Sequence, residues 1–171
     1  MIFRLSQKLA TKIKTKPSKC LPLDPNPFAD WSGHLFTADR TQYLILTNTP
    51  SLYSVVMFGK GISDDSRFID RALECIWEFM LFDGQEFIYR RLVVPASASV
   101  RFSSALNRSV IGSVNDMVKI AQLLLDEDEL SPFDVSFRLN DMPMSCLEYA
   151  KPREAFKALQ IEQVTHEGEE A

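Results

Sequence analysis

The chain is 171 residues long, the usual size of one domain, and its 46% hydrophobic and 11% aromatic residues supply an ample core. At 25% charged residues the composition excludes wholesale disorder, and no apolar run is long enough for a membrane-spanning helix. The net charge of −4 is unevenly spread: residues 1–20 hold six bases and no acid, whereas residues 126–171 hold twelve acids against four bases.

Met1-Ile2-Phe3-Arg4-Leu5 has the make-up of a short strand. From Ser6 the spacing becomes helical, with Leu5, Leu9 and Ile13 four apart, and Pro17 ends the pattern. Lys8, Lys12 and Lys16 recur along it as a solvated face. The same arm, Lys8–Lys19, carries the charge for nucleic-acid contact, although a pI of about 5.2 argues against a dedicated DNA binder. Pro22, Pro25 and Pro27 mark an extended connection. Leu35–Thr37, Gln42–Thr47 and Leu52–Phe58 then read as an antiparallel meander, turning at Ala38-Asp39-Arg40 and at Asn48-Thr49-Pro50. The two later strands are almost continuously apolar, which predicts helices over both faces of the sheet.

Ser63 is the expected cap of a helix whose stripe is Phe68, Ile69, Ala72, Leu73, Ile76, Phe79 and Met80, stopped at Gly84. Phe87 to Val94 is β-rich and reads as a strand ending at Pro95, and Val100-Arg101-Phe102 is a further short strand or a loop. Met117, Val118, Ala121, Leu124 and Leu125 predict a second amphipathic helix. Phe133, Val135, Phe137 and Leu139 alternate with polar residues, the pattern of a half-buried strand. A short helix from Pro152 to Leu159 follows. These elements predict an α+β fold with an antiparallel-rich or mixed sheet of about five to six strands and three to four helices. One domain is expected over residues 1–162, followed by a frayed acidic tail over 163–171.

Cys20, Cys75 and Cys146 are odd in number and lack metal-ligand spacing, so neither a disulfide framework nor a metal site is expected, and Cys75 falls on an apolar helix face. A reducing cytoplasmic compartment suits them. The chain has no phosphate-binding Gly loop, no dinucleotide-binding Gly pattern, no Gly-x-Ser-x-Gly elbow and no His-Glu-x-x-His, so no cofactor is implied. Of its two histidines, His166 lies in the tail. His34 stands near Trp31 and Asp39, where it is either a general base or a hydrogen-bonded residue at a strand edge.

The conspicuous feature is the polar stretch Asn107-Arg108-Ser109-Val110-Ile111-Gly112-Ser113-Val114-Asn115-Asp116. Read structurally, Asn107 closes a turn, Gly112 bends the backbone, and Ser113 with Asp116 caps the following helix. Read functionally, the amides around Gly112 and Ser113 and the Arg108 guanidinium make an anion site, against which Asp116 stands. Arg108 and Asn115 are the residues left without a structural task.

This decapeptide resembles the hallmark Asn-Arg-Ser-Val-Leu-Gly-Ser-Met-Asn-Asp of an uncharacterised bacterial family, with Ile111 and Val114 as conservative departures. Loose matches at Ile2 to Lys16, Trp31 to Phe36 and Asn48 extend the similarity over roughly residues 1–125, while Phe87 to Ser104 has no clear counterpart. The family has no established activity, so the resemblance implies kinship without a reaction. Three readings stand. The first is a non-enzymatic binding or regulatory module. The second is an enzyme acting on a phosphate-bearing or nucleotide substrate, with Arg108 for charge, Ser113 and its neighbours' amides for the anion, and Asp116 or Asp39 with His34 for acid–base work. The third is a subunit of a homo-oligomer paired through an open strand edge.

Overall fold

The structure, a computed structural model, describes residues 1–127 and 130–161. The acidic tail and His166 therefore lie outside the described residues. Five strands, β1 (Ile2–Leu5), β2 (Asp30–Ala38), β3 (Thr41–Asn48), β4 (Ser54–Phe58) and β5 (Arg101–Ser103), form one mixed sheet in the order β4-β3-β2-β1-β5. The predicted meander forms β2, β3 and β4, paired antiparallel, whereas β1 runs parallel to both of its neighbours. Asp39 and Arg40, both at positive φ, make the two-residue turn between β2 and β3, a turn whose twist matches that of the strands it joins.

Helices α1 (Gln7–Lys12), α2 (Asp65–Phe82), α3 (Glu86–Ile88), α4 (Arg108–Asp126), α5 (Pro132–Asn140) and α6 (Pro152–Lys157) cover the sheet. Alternate residues of each strand go to opposite sides. Phe3, Trp31, Leu44, Leu46, Val55 and Met57 join α1, α2 and α6 in one apolar cluster. Phe36, Ala38, Ile45 and Val56 join α4 and α5 in the other. Gly33 permits α1 to lie close on β2, because a Cβ there would come within 2.9 Å of Leu9 Cδ2. Cys75 is half-buried against the first cluster, and burial pushes its thiol pKa up.

Three expectations are overturned. Phe133–Leu139 is not a strand but helix α5. Ser131 and Asp134 exchange hydrogen bonds across its first turn and Pro132 occupies the first helical position, so local capping outweighs the period of two. Val135 and Leu139 are also four apart, which suits a helix equally well. Phe87 to Val94 is likewise helical, through α3 and a π-helical segment Tyr89–Val93. There Arg90 pairs with Glu86 four residues back and lies over the Trp77 ring, and the β-propensity of Ile88, Tyr89 and Val93 yields to packing on α2. The cap of α2 is Asp64, not Ser63, with its side chain accepting from Arg67 N–H.

Both sheet edges are engaged. Ser136 Oγ accepts from Val56 N–H, and Asn140 both accepts from Ser54 N–H and donates to Ser54 C=O. Side chains of α5 thus satisfy the outer groups of β4. At the other edge Ser18 bonds Phe102 and Ser104, so edge-to-edge pairing with a second copy meets groups already bonded at Ser54, Val56, Phe102 and Ser104.

Arg4, counted among the bases of the N-terminal arm, is buried in the sheet. Its Nε and Nη2 both donate to the Asp30 carboxylate at 2.8 Å, Nη1 donates to Leu21 C=O and Ser103 Oγ, and Nη2 also donates to Pro22 C=O. Both side chains of the pair are 0% exposed. Removing one partner strands the other charge, so Arg4→Met is expected to cost about 3–5 kcal/mol of stability in urea unfolding. The double variant Arg4→Met, Asp30→Leu recovers a large part of that loss, and equal losses in both would refute this account.

Candidate functional site

The polar stretch is helix rather than turn. Asn107 is the N-cap of α4, its side chain accepting from Val110 N–H at 2.9 Å, and the helix runs from Arg108 through Gly112 and Ser113 without a break. The expected cap at Ser113 and Asp116 is therefore six residues too late. An Asn cap satisfies the first-turn amides just as Ser does, and Gly112 sits as an ordinary helical residue with open space around it. Amides at Ser113 are bonded within the helix, so the anion site imagined there does not exist. Arg108 and Ser109 are exposed in the first turn, and Asp116 pairs with Lys119 at 3.8 Å.

What the fold builds instead is a crevice of about 650 Å³ at the carboxyl ends of β1 and β5. The chain leaves β1 for α1 on one face of the sheet and leaves β5 for α4 on the other. Adjacent parallel strands whose helices depart to opposite faces open a gap between them, the place where α/β sheets bind ligands. Ser6, Gln7 and Lys8 of the α1 end face Ser104, Ala105, Ile111 and Asn115 across it, and His34 and Leu35 of β2 form part of its wall. Two smaller hollows adjoin it, each sharing Lys8 and Leu35 with it. Its volume lies within the usual range for small-molecule sites, roughly 300–1,000 Å³.

His34 is the unusual wall residue. Its Nδ1 is buried with no hydrogen-bond partner, and burial pulls its pKa below the ordinary 6.5. The ring is therefore neutral near pH 7, with one nitrogen donating and the other accepting. Trp31 and Asp39 do not assist it. Trp31 points to the opposite face of β2, its Nε1 donating to Phe28 C=O. Asp39 lies five residues on, roughly 17 Å along an extended strand.

Of the residues expected to form a site, His34 and Asn115 are brought together in the crevice. Asn107, Ser109, Ser113 and Asp116 are not among its lining residues, and neither is Arg108. Ser6 and Ser104 line it without having been singled out, and Lys8 was named only as part of the N-terminal arm. Lys8 stood in the sequence as one of a periodic series, and nothing in that series distinguishes it. The Ser6 hydroxyl caps α1, accepting from Leu9 N–H.

Fold and crevice together define an α+β protein with a small-molecule-sized cleft at a switch point of its sheet. The family model described as "Domain of unknown function (DUF6933)" matches residues 2–155, and the chain belongs to that family. No curated protein and no solved structure gives a match.

Replacing the true cap, Asn107→Ala, is expected to cost about 1 kcal/mol, whereas Gly112→Ala gains roughly 0.5–1 kcal/mol because its methyl meets nothing. Thermal denaturation separates these signs, and a loss at Gly112→Ala would restore the turn reading. The lowered His34 pKa has a second consequence. Below about pH 6.5 the unfolded chain takes up a proton that the folded chain resists, so stability is present above that value and lost as pH falls from it. Urea midpoints between about pH 7 and pH 5 should decline less steeply in His34→Gln. An identical slope assigns the titration to other groups.

Proposed function

We propose that this chain is a non-enzymatic binding module that takes a small molecule into the crevice between α1 and α4. The observation that carries the reading is His34 in the wall of that crevice, its ring neutral and its buried Nδ1 without a hydrogen-bond partner. A buried polar atom left unsatisfied costs free energy that a ligand's hydrogen bond recovers. Leu5, Pro17, Leu35 and Ile111 add an apolar lining for the body of the ligand.

Binding is favoured over catalysis because His34 has no carboxylate to orient it among the described residues, and a general base in a nucleophilic or acid–base site is held by such a partner. An enzyme acting on a phosphate-bearing substrate remains the second reading. It loses Ser113, Asp116 and Asp39 as participants and keeps His34, with Arg108 one helical turn before the lining residue Ile111. We take the chain to act in a bacterial cytoplasm as one domain over residues 1–162. Its exposed, unpaired Cys20 and Cys146 suit a reducing compartment.

A thermal-shift screen of small polar molecules tests the reading, with Ala105→Trp as the variant that fills the crevice. A ligand at about a hundredfold its Kd stabilises by about 2.7 kcal/mol, a rise of several degrees for a chain of this size. Compounds that raise the transition of the wild type and not of Ala105→Trp support the proposal. Equal shifts in both proteins place binding outside the crevice and reject it.

A further inference from the structure

Lys8 lines the crevice and both hollows beside it, and it has no acidic partner among the described residues. Arg108, Ile111 and Asn115 fall on one face of α4, at spacings of three and four residues. Ile111 and Asn115 of that face line the crevice, and Arg108, exposed and outside the lining itself, lies one helical turn before Ile111 on the same face. The crevice contains no acidic lining residue. The two segments that supply most of its walls, 1–23 and 87–115, contain no Asp or Glu at all. Asp116, the nearest acid in sequence, is engaged by Lys119.

Resting on the crevice reading above, we propose that its ligand is an organic phosphate ester, the phosphate held at the mouth by Lys8 and Arg108 and the organic part lying inward against Leu35, Ile111 and His34. Two cations without counter-charges match a group that carries about −1.5 to −2 near neutral pH better than a single carboxylate. Arg supplies a planar pair of donors for phosphate oxygens and Lys a mobile point charge. The apolar lining gives the organic part more affinity than inorganic phosphate alone receives.

Two sources share this chemistry, a free phosphate ester and the 5′-phosphorylated end of an oligonucleotide. Backbone amide NMR of the intact chain distinguishes them, using phenyl phosphate, phenol, and a trinucleotide with and without a 5′-phosphate. Phenyl phosphate is expected to shift the amides of Lys8, His34, Ser104 and Ile111. Lys8→Gln and Arg108→Gln each weaken it roughly tenfold at low salt, whereas Lys60→Gln, which removes the same charge at a residue lining neither the crevice nor its hollows, leaves it unchanged. Binding of the trinucleotide only when 5′-phosphorylated assigns the second source and upholds the proposal.

Phenol binding as tightly as phenyl phosphate, with Lys8→Gln silent, overturns the phosphate inference and leaves the crevice as a binding site. Trinucleotide binding that ignores the 5′-phosphate and survives Ala105→Trp also overturns it, and assigns the lysines to backbone contact outside the crevice. Phenyl phosphate shifts that are the same in Lys60→Gln and Lys8→Gln reduce the effect to net charge and reject it equally.

Discussion

The guanidinium of Arg4 has five N–H donors, and this fold gives an acceptor to every one of them. A charge taken wholly out of water is tolerated only with such complete pairing, since desolvation of each ion costs several kcal/mol. The geometry that results is specific. Asp30 holds β2 in parallel register with β1, Ser103 Oγ draws in β5, and the carbonyls of Leu21 and Pro22 bring the connection after α1 across the sheet. Asp30 also accepts from Asp24 N–H, and the N-terminal ammonium lies 3.5 Å from Asp24. One buried ion pair therefore sets the path of residues 18–24, and with it where Pro17 closes one side of the crevice.

The other end of the sheet is specified by side-chain substitution for backbone. An edge strand would ordinarily expose its outward N–H and C=O groups to another chain. Here Asn140 makes with Ser54 the reciprocal pair of bonds that a neighbouring strand would make, and Ser136 adds a third. The α5 helix can do this because Ser136 and Asn140 are four apart and so share one face. The same face carries Val135 and Leu139 into the apolar cluster. Arg153 fastens the following segment, contacting both Asp83 and Asp141, and Asp83 also accepts from the buried Tyr53 hydroxyl. Buried beside the Asp83 carboxylate, that phenol has its pKa pushed well above the ordinary 10.

How far the sequence disclosed this depends on the range of the interactions involved. The meander was legible because its hydrophobic runs and turns are local, and α2 because eighteen residues repeat one stripe. The α5 helix was misread because four alternating hydrophobes in seven residues satisfy a period of two, while Ser131, two residues before the first of them, carried the deciding cap with Asp134. In the decapeptide the reverse happened. Two capping signals compete there, Asn107 and Ser113, and the hydrogen bond from Val110 N–H to the Asn107 side chain shows that the earlier one governs. Arg4 was hidden among lysines, although a single charge inside Ile2-Phe3-Arg4-Leu5 is itself a sign of a buried partner. The crevice was illegible, because it exists only once α1 and α4 leave adjacent strands for opposite faces.

Charge distribution ties these features together. The chain is acidic overall, yet residues 1–23 and 87–115 supply bases without acids, and the topology sets β1 and β5, one strand from each, side by side. Arg4 is neutralised by Asp30 and Arg90 by Glu86. The cations that remain near the crevice, Lys8 and Arg108 foremost, have no such partner among the described residues. Like charges gathered around a concave, partly apolar site repel one another, and folding alone gains nothing from that arrangement. Asp30 and Glu86 pair with Arg4 and Arg90, whereas no acidic side chain lines the crevice beside Lys8, so an anion entering it from solvent meets a cation and no like charge in the lining.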